Sequence, residues 1–274
     1  MTEFGAVPDA RLIAPLERLI ETPGLTALFL AGSHGRGAAD AFSDIDLLAV
    51  AEADALADVG SAWQAALGAA LPIVHWDRRD WGGTLVNAIT EDWLRVDLFV
   101  VPGLDRRARD LLVPLHDPAD LWSAMPASLP AAEPDPARVA RLSREIIRII
   151  GLLPLGAGRK EVVTLLWGLN LLRDAATQLM QEECPLADRG GVLHLSRLIR
   201  PDRMAVLLAL PQPPARLPEV TEAYMAYAAI LLPLAREMSE RLALDWPEAF
   251  EAATRAHLRK AMDLDLPSST PAGQ

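Results

Sequence analysis

The chain has 274 residues, 51% of them apolar, and a formal net charge of -11. Such a length suits one large domain or two modest ones, and the apolar fraction supplies a sizeable core and excludes wholesale disorder. The acidity disfavours wrapping around a nucleic-acid backbone, which calls for a basic surface, and suits a cationic small molecule better.

Cys184 is the single cysteine, so no intramolecular disulfide and no cysteine-rich zinc site is expected. A reducing cytoplasm is the natural compartment for such a chain. Met1 to Arg11 carries acids and a proline and has no basic segment ahead of an apolar core, so it does not read as a signal peptide. No run approaches the roughly 18 apolar residues of a membrane span. Ile146 to Leu155 comes nearest and is broken by Arg148 and Pro154.

Taken in chain order, Pro8 to Ile20 predicts a helix and Leu25 to Ala31 a buried strand. A glycine-punctuated segment follows, Gly32 to Gly37. Ile45 to Ala51 predicts a second strand, Ala53 to Leu71 an alanine-rich helix, and Ile73 to Trp76 a short strand. Thr84 to Thr90 and Trp93 to Val101 predict two strands joined by a tight turn at Glu91-Asp92. Pro114, Pro118, Pro126, Pro130, Pro134 and Pro136 then crowd one stretch. Beyond it helical periodicity dominates. Asp135 can cap a helix that begins at Pro136 and runs towards Gly151. Arg159 to Gln181 predicts a long amphipathic helix, and Gly190-Gly191 breaks the chain. Helices follow near Val192 to Arg200, Asp202 to Leu210, Glu219 to Leu242 and Pro247 to Met262. The expected organisation is α+β: a small mixed β-sheet domain over residues 1–113, a proline-rich linker over 114–135, a C-terminal α-helical bundle over 136–264 and a disordered tail over 265–274. An active cleft is expected between the two domains.

The chemistry concentrates in Gly32-Ser33-His34-Gly35-Arg36-Gly37 and Ser43-Asp44-Ile45-Asp46-Leu47. A glycine-flanked turn lets backbone N–H groups approach a triphosphate, Ser33 adds a hydroxyl donor, and a helix starting there favours anions. Asp44 and Asp46 stand two apart at the start of an apolar strand, so both point to one face. Carboxylates that converge in this way repel unless a cation lies between them, and hard oxygen ligands suit Mg²⁺. Asp97, an acid inside the strand pattern Trp93 to Val100, is the best third carboxylate. It can serve as metal ligand, as general base, or as both.

Gly-Ser, a further glycine and Ser-Asp-x-Asp together resemble the nucleotidyltransferases of the DNA polymerase beta superfamily. A compact α/β domain followed by a helical domain is similar, within that superfamily, to the antibiotic nucleotidyltransferases that modify aminoglycosides or lincosamides. The match spans about Leu25 to Val101. The resemblance implies that Gly32 and Ser33 hold the triphosphate of ATP or another nucleoside triphosphate, that Asp44 and Asp46 bind Mg²⁺, and that Asp97 is ligand or base. It also implies a small-molecule hydroxyl acceptor.

Lesser features carry two readings each. Arg36 can neutralise phosphate charge or lie exposed, and His34 can touch phosphate or face solvent. Glu91 and Asp92 can attract an ammonium group of the acceptor or simply shape a turn, and Glu91 is an alternative base. Trp76, Trp81 and Trp93 can wall a ring or pack the core. Trp167, Asn170 and Asp174 share one helix face that suits a polyamine-like acceptor, while Lys160 or Arg173 can bind the triphosphate tail. The alternative is a solvated face. A same-fold transferase acting on a protein, as in toxin–antitoxin pairs, and a non-catalytic nucleotide-binding protein are the rival functions. Oligomeric state is left open.

Overall fold

A computed structural model of the chain describes residues 4–186 and 195–270. The Gly190-Gly191 break and the start of the helix expected at Val192 lie outside those residues. The chain folds as two compact units, Met1–Pro130 and Ala131–Gln274.

In the first unit, Asp9 caps a 3-10 turn at Ala10–Leu12 by accepting from the Arg11 N–H, and α1 (Ile13–Ile20) continues from it. β1 (Leu25–Leu30), α2 (Gly32–Gly35), β2 (Ile45–Ala51), α3 (Leu56–Ala70), β3 (Ile73–Asp80), β4 (Thr84–Thr90) and β5 (Arg95–Val101) follow. β6 (Val113–His116) and α4 (Leu121–Ala124) complete the unit. The sheet order is β3-β4-β5-β2-β1-β6. β2 and β5 run parallel and the other neighbours antiparallel. This mixed sheet with helices, followed by a helical unit, is the expected α+β class.

Two details differ from the expectation. β3 runs on to Asp80, because Asp77, Arg78 and Arg79 pair with β4 although their polarity hides the strand. Val113–His116, expected to begin a linker, is instead an edge strand beside β1, with Pro114 opposite Phe29. An edge position tolerates a proline, since its missing N–H faces no further strand.

Period-two alternation decides what covers each face of the sheet. Leu47, Ala49, Val96, Leu98, Val100, Val86 and Ala88 point to one side and bury against Leu12, Leu16 and Leu19 from the α1 region and Val59, Trp63 and Leu67 of α3. Leu48 and Val50 of β2 point to the other side. They pack with Ala27, Phe29, Leu112 and Met125, and Phe99, Val101 and Trp122 lean on that cluster. The second cluster covers the C-terminal halves of β2 and β5 only. Asp46 and Asp97 occupy the same face, one residue pair ahead of it.

The second unit begins as expected: Asp135 accepts from the N–H groups of Ala137 and Arg138 and caps α5 (Pro136–Gly151). α6 (Leu153–Gly158) is separated from α7 (Val162–Glu182) by Lys160 at φ 59°. α8 (Leu195–Leu198), α9 (Pro201–Ala209), α10 (Leu217–Arg241) and α11 (Glu248–Met262) follow. Leucines, isoleucines and alanines of α5, α7 and α10 form one core. The described part of the expected tail is packed: Leu266 and Ser269 are buried, Ser269 donates to Glu251 at 2.8 Å, and Arg255 donates to the Pro267 carbonyl at 2.6 Å. Among the described residues no helix is long and apolar enough to cross a membrane.

Gly168 lets α7 and α10 meet closely. The Tyr224 hydroxyl, which donates to the Leu165 carbonyl at 3.0 Å, lies 1.9 Å from where a Cβ at 168 would be. Alanine there gains up to ~1 kcal/mol of helix propensity but must displace that hydroxyl. We expect Gly168→Ala to lower stability by about 1–2 kcal/mol in urea unfolding, whereas Gly158→Ala, whose Cβ meets nothing within 4 Å, should not.

Candidate active site

The site is built from strand register. Asp46 of β2 lies directly opposite Asp97 of β5. Asn87 of β4 lies opposite Asp97, and Asp77 of β3 opposite Asn87. One row of polar side chains therefore crosses four strands, Asp77–Asn87–Asp97–Asp46. Asp44, two residues before Asp46, joins the same face at the mouth of β2. Arg95, two residues before Asp97, does the same on β5.

The turn after β1 closes this row. The Ala31 N–H donates to the Asp46 carbonyl at 2.8 Å, which draws Gly32 against the aspartate. Gly32 has φ 57°, and a Cβ there would lie 1.8 Å from Asp46 Oδ2, so the position is open only to glycine. Gly35 is equally constrained, since its Cβ would meet the Leu111 carbonyl at 2.4 Å. α2 is a single turn, too short for the helix dipole that the sequence suggested as an anion anchor. Ser33 follows Gly32 in the same turn. Its hydroxyl is buried and has no hydrogen-bond partner among the described residues. An unmet buried hydroxyl costs about 1–3 kcal/mol and calls for a ligand or another explanation.

Electrostatics follows from that crowding. Burial, and then the negative charges of Asp44 and Asp97, push the Asp46 carboxyl up to about 6, while Arg36 and Arg95 oppose the shift. Burial also raises Asp97, and the Asn87 side chain, hydrogen-bonded to it, works against the rise. Arg95 lies 3.5 Å from Asp44 and donates to the Phe42 carbonyl at 2.9 Å. Arg79 donates to Asn87 Oδ1 at 2.5 Å and pairs with Asp77 at 3.1 Å. Because Oδ1 accepts from Arg79, the Asn87 amide nitrogen is the end left to donate to Asp97. Asn87, Arg79 and Arg95 went unnoticed in the sequence; their only signal there is register across strands, which one strand's pattern does not reveal.

The donor set tests the expected metal. Asp44 and Asp46 offer hard carboxylate oxygens, and Mg²⁺ is commonly held by one or two carboxylates together with substrate phosphates. Among the described residues, no three His, Cys, Asp or Glu side chains stand close enough together to form a ready-made metal cage. Asp97 is held by Asn87 on its other flank. The pair Asp44 and Asp46 fits an ion that substrate phosphates would complete.

The remaining expected residues divide by unit. Arg36 places its charge near Asp46. Glu91 is exposed at the β4–β5 turn, whereas Asp92 accepts from Thr90 at 2.5 Å and Arg11 at 2.7 Å and helps to shape that turn. In the helical unit, Lys160 is exposed at the α6–α7 junction and Asp174 accepts from Gln178 at 2.6 Å. Trp167 is exposed beside a largely apolar cavity of about 340 Å³ that Tyr224, Leu165 and Leu171 also line. Arg173, expected at the triphosphate tail, is instead a structural cation. It donates to the Leu207 and Leu210 carbonyls, both at 2.9 Å, and to the Tyr227 hydroxyl at 3.1 Å, fastening α9 to α7 and α10.

No family model matches the chain, and no curated protein does. Among solved structures, the chain is similar to an aminoglycoside 6-adenyltransferase from Bacillus subtilis at 11% identity and a TM-score of 0.40, over 91% of this chain and 97% of that one. This distant likeness is too loose to carry an activity from that enzyme to this chain.

The Asp46 shift has a measurable consequence. Folding raises its pKa above the unfolded value of 3.8, so the stability it contributes is present below that pH and is lost as pH rises through about 6. In the metal-free chain, Asp46→Asn should therefore raise the thermal midpoint by a few degrees at about pH 8 and leave it unchanged at about pH 4, as followed by calorimetry.

Proposed function

We propose that this chain is a nucleotidyltransferase that uses Mg²⁺ to move the nucleoside monophosphate of a nucleoside triphosphate, ATP being the expected donor, onto a hydroxyl of a small molecule. The observation that carries the reading is the pairing of Asp46 with Asp97 on adjacent parallel strands, with the Gly32–Ser33 turn pressed against Asp46. A hydroxyl acceptor needs a base on one side of the phosphorus and an anion cradle on the other, and these residues supply both.

In this reading Ser33 gives the triphosphate the hydrogen bond that its buried hydroxyl otherwise lacks, and Gly32 admits the phosphate backbone close to Asp46. Asp44 and Asp46 would hold the ion. Bound there, Mg²⁺ would supply positive charge to offset the negative charge that develops during transfer. Asp97 takes the acceptor proton as the acceptor oxygen bonds the α-phosphorus. The bond from that phosphorus to the oxygen bridging to the β-phosphorus breaks, and pyrophosphate leaves in line. The raised pKa of Asp97 moves it towards a working base. Arg36 adds positive charge beside the phosphates. Glu91 is the second candidate base, and an aminoglycoside-like antibiotic is the first acceptor class to try. The acidic chain suits such a cation, and antibiotic resistance in the cytoplasm would be the corresponding role.

The test is pyrophosphate release by the full chain with ATP, magnesium and a panel of aminoglycosides and lincosamides, coupled to mass spectrometry of the acceptor. The expected product carries one added AMP. Asp46→Asn should lower turnover by about three orders of magnitude or more with the fold retained. Near wild-type turnover in that variant rules the mechanism out, and nucleotide found on a protein instead would favour the protein-modifying rival.

A further inference from the structure

Resting on the transferase reading above, we propose that the groove between Phe42 and Trp93 binds a ring of the hydroxyl-bearing acceptor, with the two aromatic side chains as its walls. The groove, of about 390 Å³, is lined by Arg11, Phe42, Ser43, Asp92, Trp93 and Arg95. It adjoins the acids, because Arg95 in its lining lies 3.5 Å from Asp44.

Trp93 sits where local rules oppose it. The Trp93 N–H donates to the Thr90 carbonyl at 2.9 Å and the Thr90 N–H to the Leu94 carbonyl at 3.0 Å, closing a short hairpin loop. The loop needs a left-handed residue at 93, and Trp93 has φ 64°. Glycine takes such a position freely and a bulky residue does so under strain. Core packing does not compensate, since Trp93 is 73% exposed. Phe42, 86% exposed, is held in place from both sides: its N–H donates to Asp40 at 2.9 Å and its carbonyl accepts from Arg95. Two solvent-facing aromatic side chains beside charged groups suit a ring that is apolar on its faces and hydroxylated at its edge. Asp92, with lone pairs beyond those used by Arg11 and Thr90, can accept from that edge.

The side of the sheet decides which substrate. The Gly32–Ser33 turn follows β1, on one flank of β2, while the groove lies between the residues that lead into β2 and those that lead into β5, its neighbour on the other flank. In-line transfer sends pyrophosphate towards the turn and brings the acceptor from the opposite flank.

Trp93→Gly separates strain from recognition. It should raise the thermal midpoint by several degrees. It should also raise the KM of the modified aminoglycoside or lincosamide about tenfold or more while the KM for ATP stays within about twofold. Phe42→Ala should raise the acceptor KM without the thermal gain, and Trp93→Phe should keep most of the affinity. An unchanged acceptor KM, a glycine variant no more stable than wild type, or a rise in the KM for ATP alone overturns the inference. Should wild type release no pyrophosphate with any of these compounds, the transferase reading fails separately. The groove is then judged by saturation-transfer NMR with the same panel: binding to wild type that disappears in Trp93→Gly upholds it, and no binding to wild type overturns it.

Discussion

Carboxylates forced together on one sheet face are the constraint from which the rest of the first unit follows. Asp46 and Asp97 are opposite each other on parallel strands, and Asp44 shares their face. Burial, and then the negative charges of Asp44 and Asp97, raise the Asp46 pKa, which opposes folding at neutral pH. The surroundings answer that repulsion locally. Arg95 draws up beside Asp44, Arg36 lends charge to Asp46, and Asn87, itself oriented by Arg79, binds Asp97. The chain retains a destabilising cluster and surrounds it with partial compensation.

Other departures from local preference gather at the same rim. Gly32 adopts left-handed backbone against a carboxylate, Ser33 buries a hydroxyl without a partner among the described residues, and Trp93 holds a strained position in solvent. Each is costly alone, and their coincidence at one end of β2 and β5 is what marks the place. The second apolar cluster stops short of that end. Leu48, Val50, Phe99 and Val101 are covered, and the covering stops before Asp46 and Asp97.

The helical unit behaves differently, and there sequence patterns misled. Arg173 looked available for phosphate because a cation on an amphipathic helix carries no mark of its partner. Its partners are the carbonyls that end α9, more than thirty residues away in the chain. The same distance hides the packing of the C-terminal segment onto Glu251 and Arg255, which composition alone presents as a loose tail. β6 was hidden for a related reason: prolines read as a linker unless an edge position is known.

The amino-acid order by itself determined which residues to propose for the chemistry and which strand face they share. Glycine-serine punctuation and alternation of acids with apolar residues are local properties, set by backbone sterics within a few residues. They were enough to single out Gly32, Ser33, Asp44, Asp46 and Asp97, and to predict most strands and helices to within a few residues. Only the tertiary structure decided that Asp97 lies beside Asp46, that Asn87 and Arg79 hold it, that Arg173 is structural, and that Phe42 and Trp93 flank one groove. Those facts depend on strand register and on contacts between distant segments. They are selected by the burial energy of the whole sheet or bundle, a quantity that no short stretch of sequence contains.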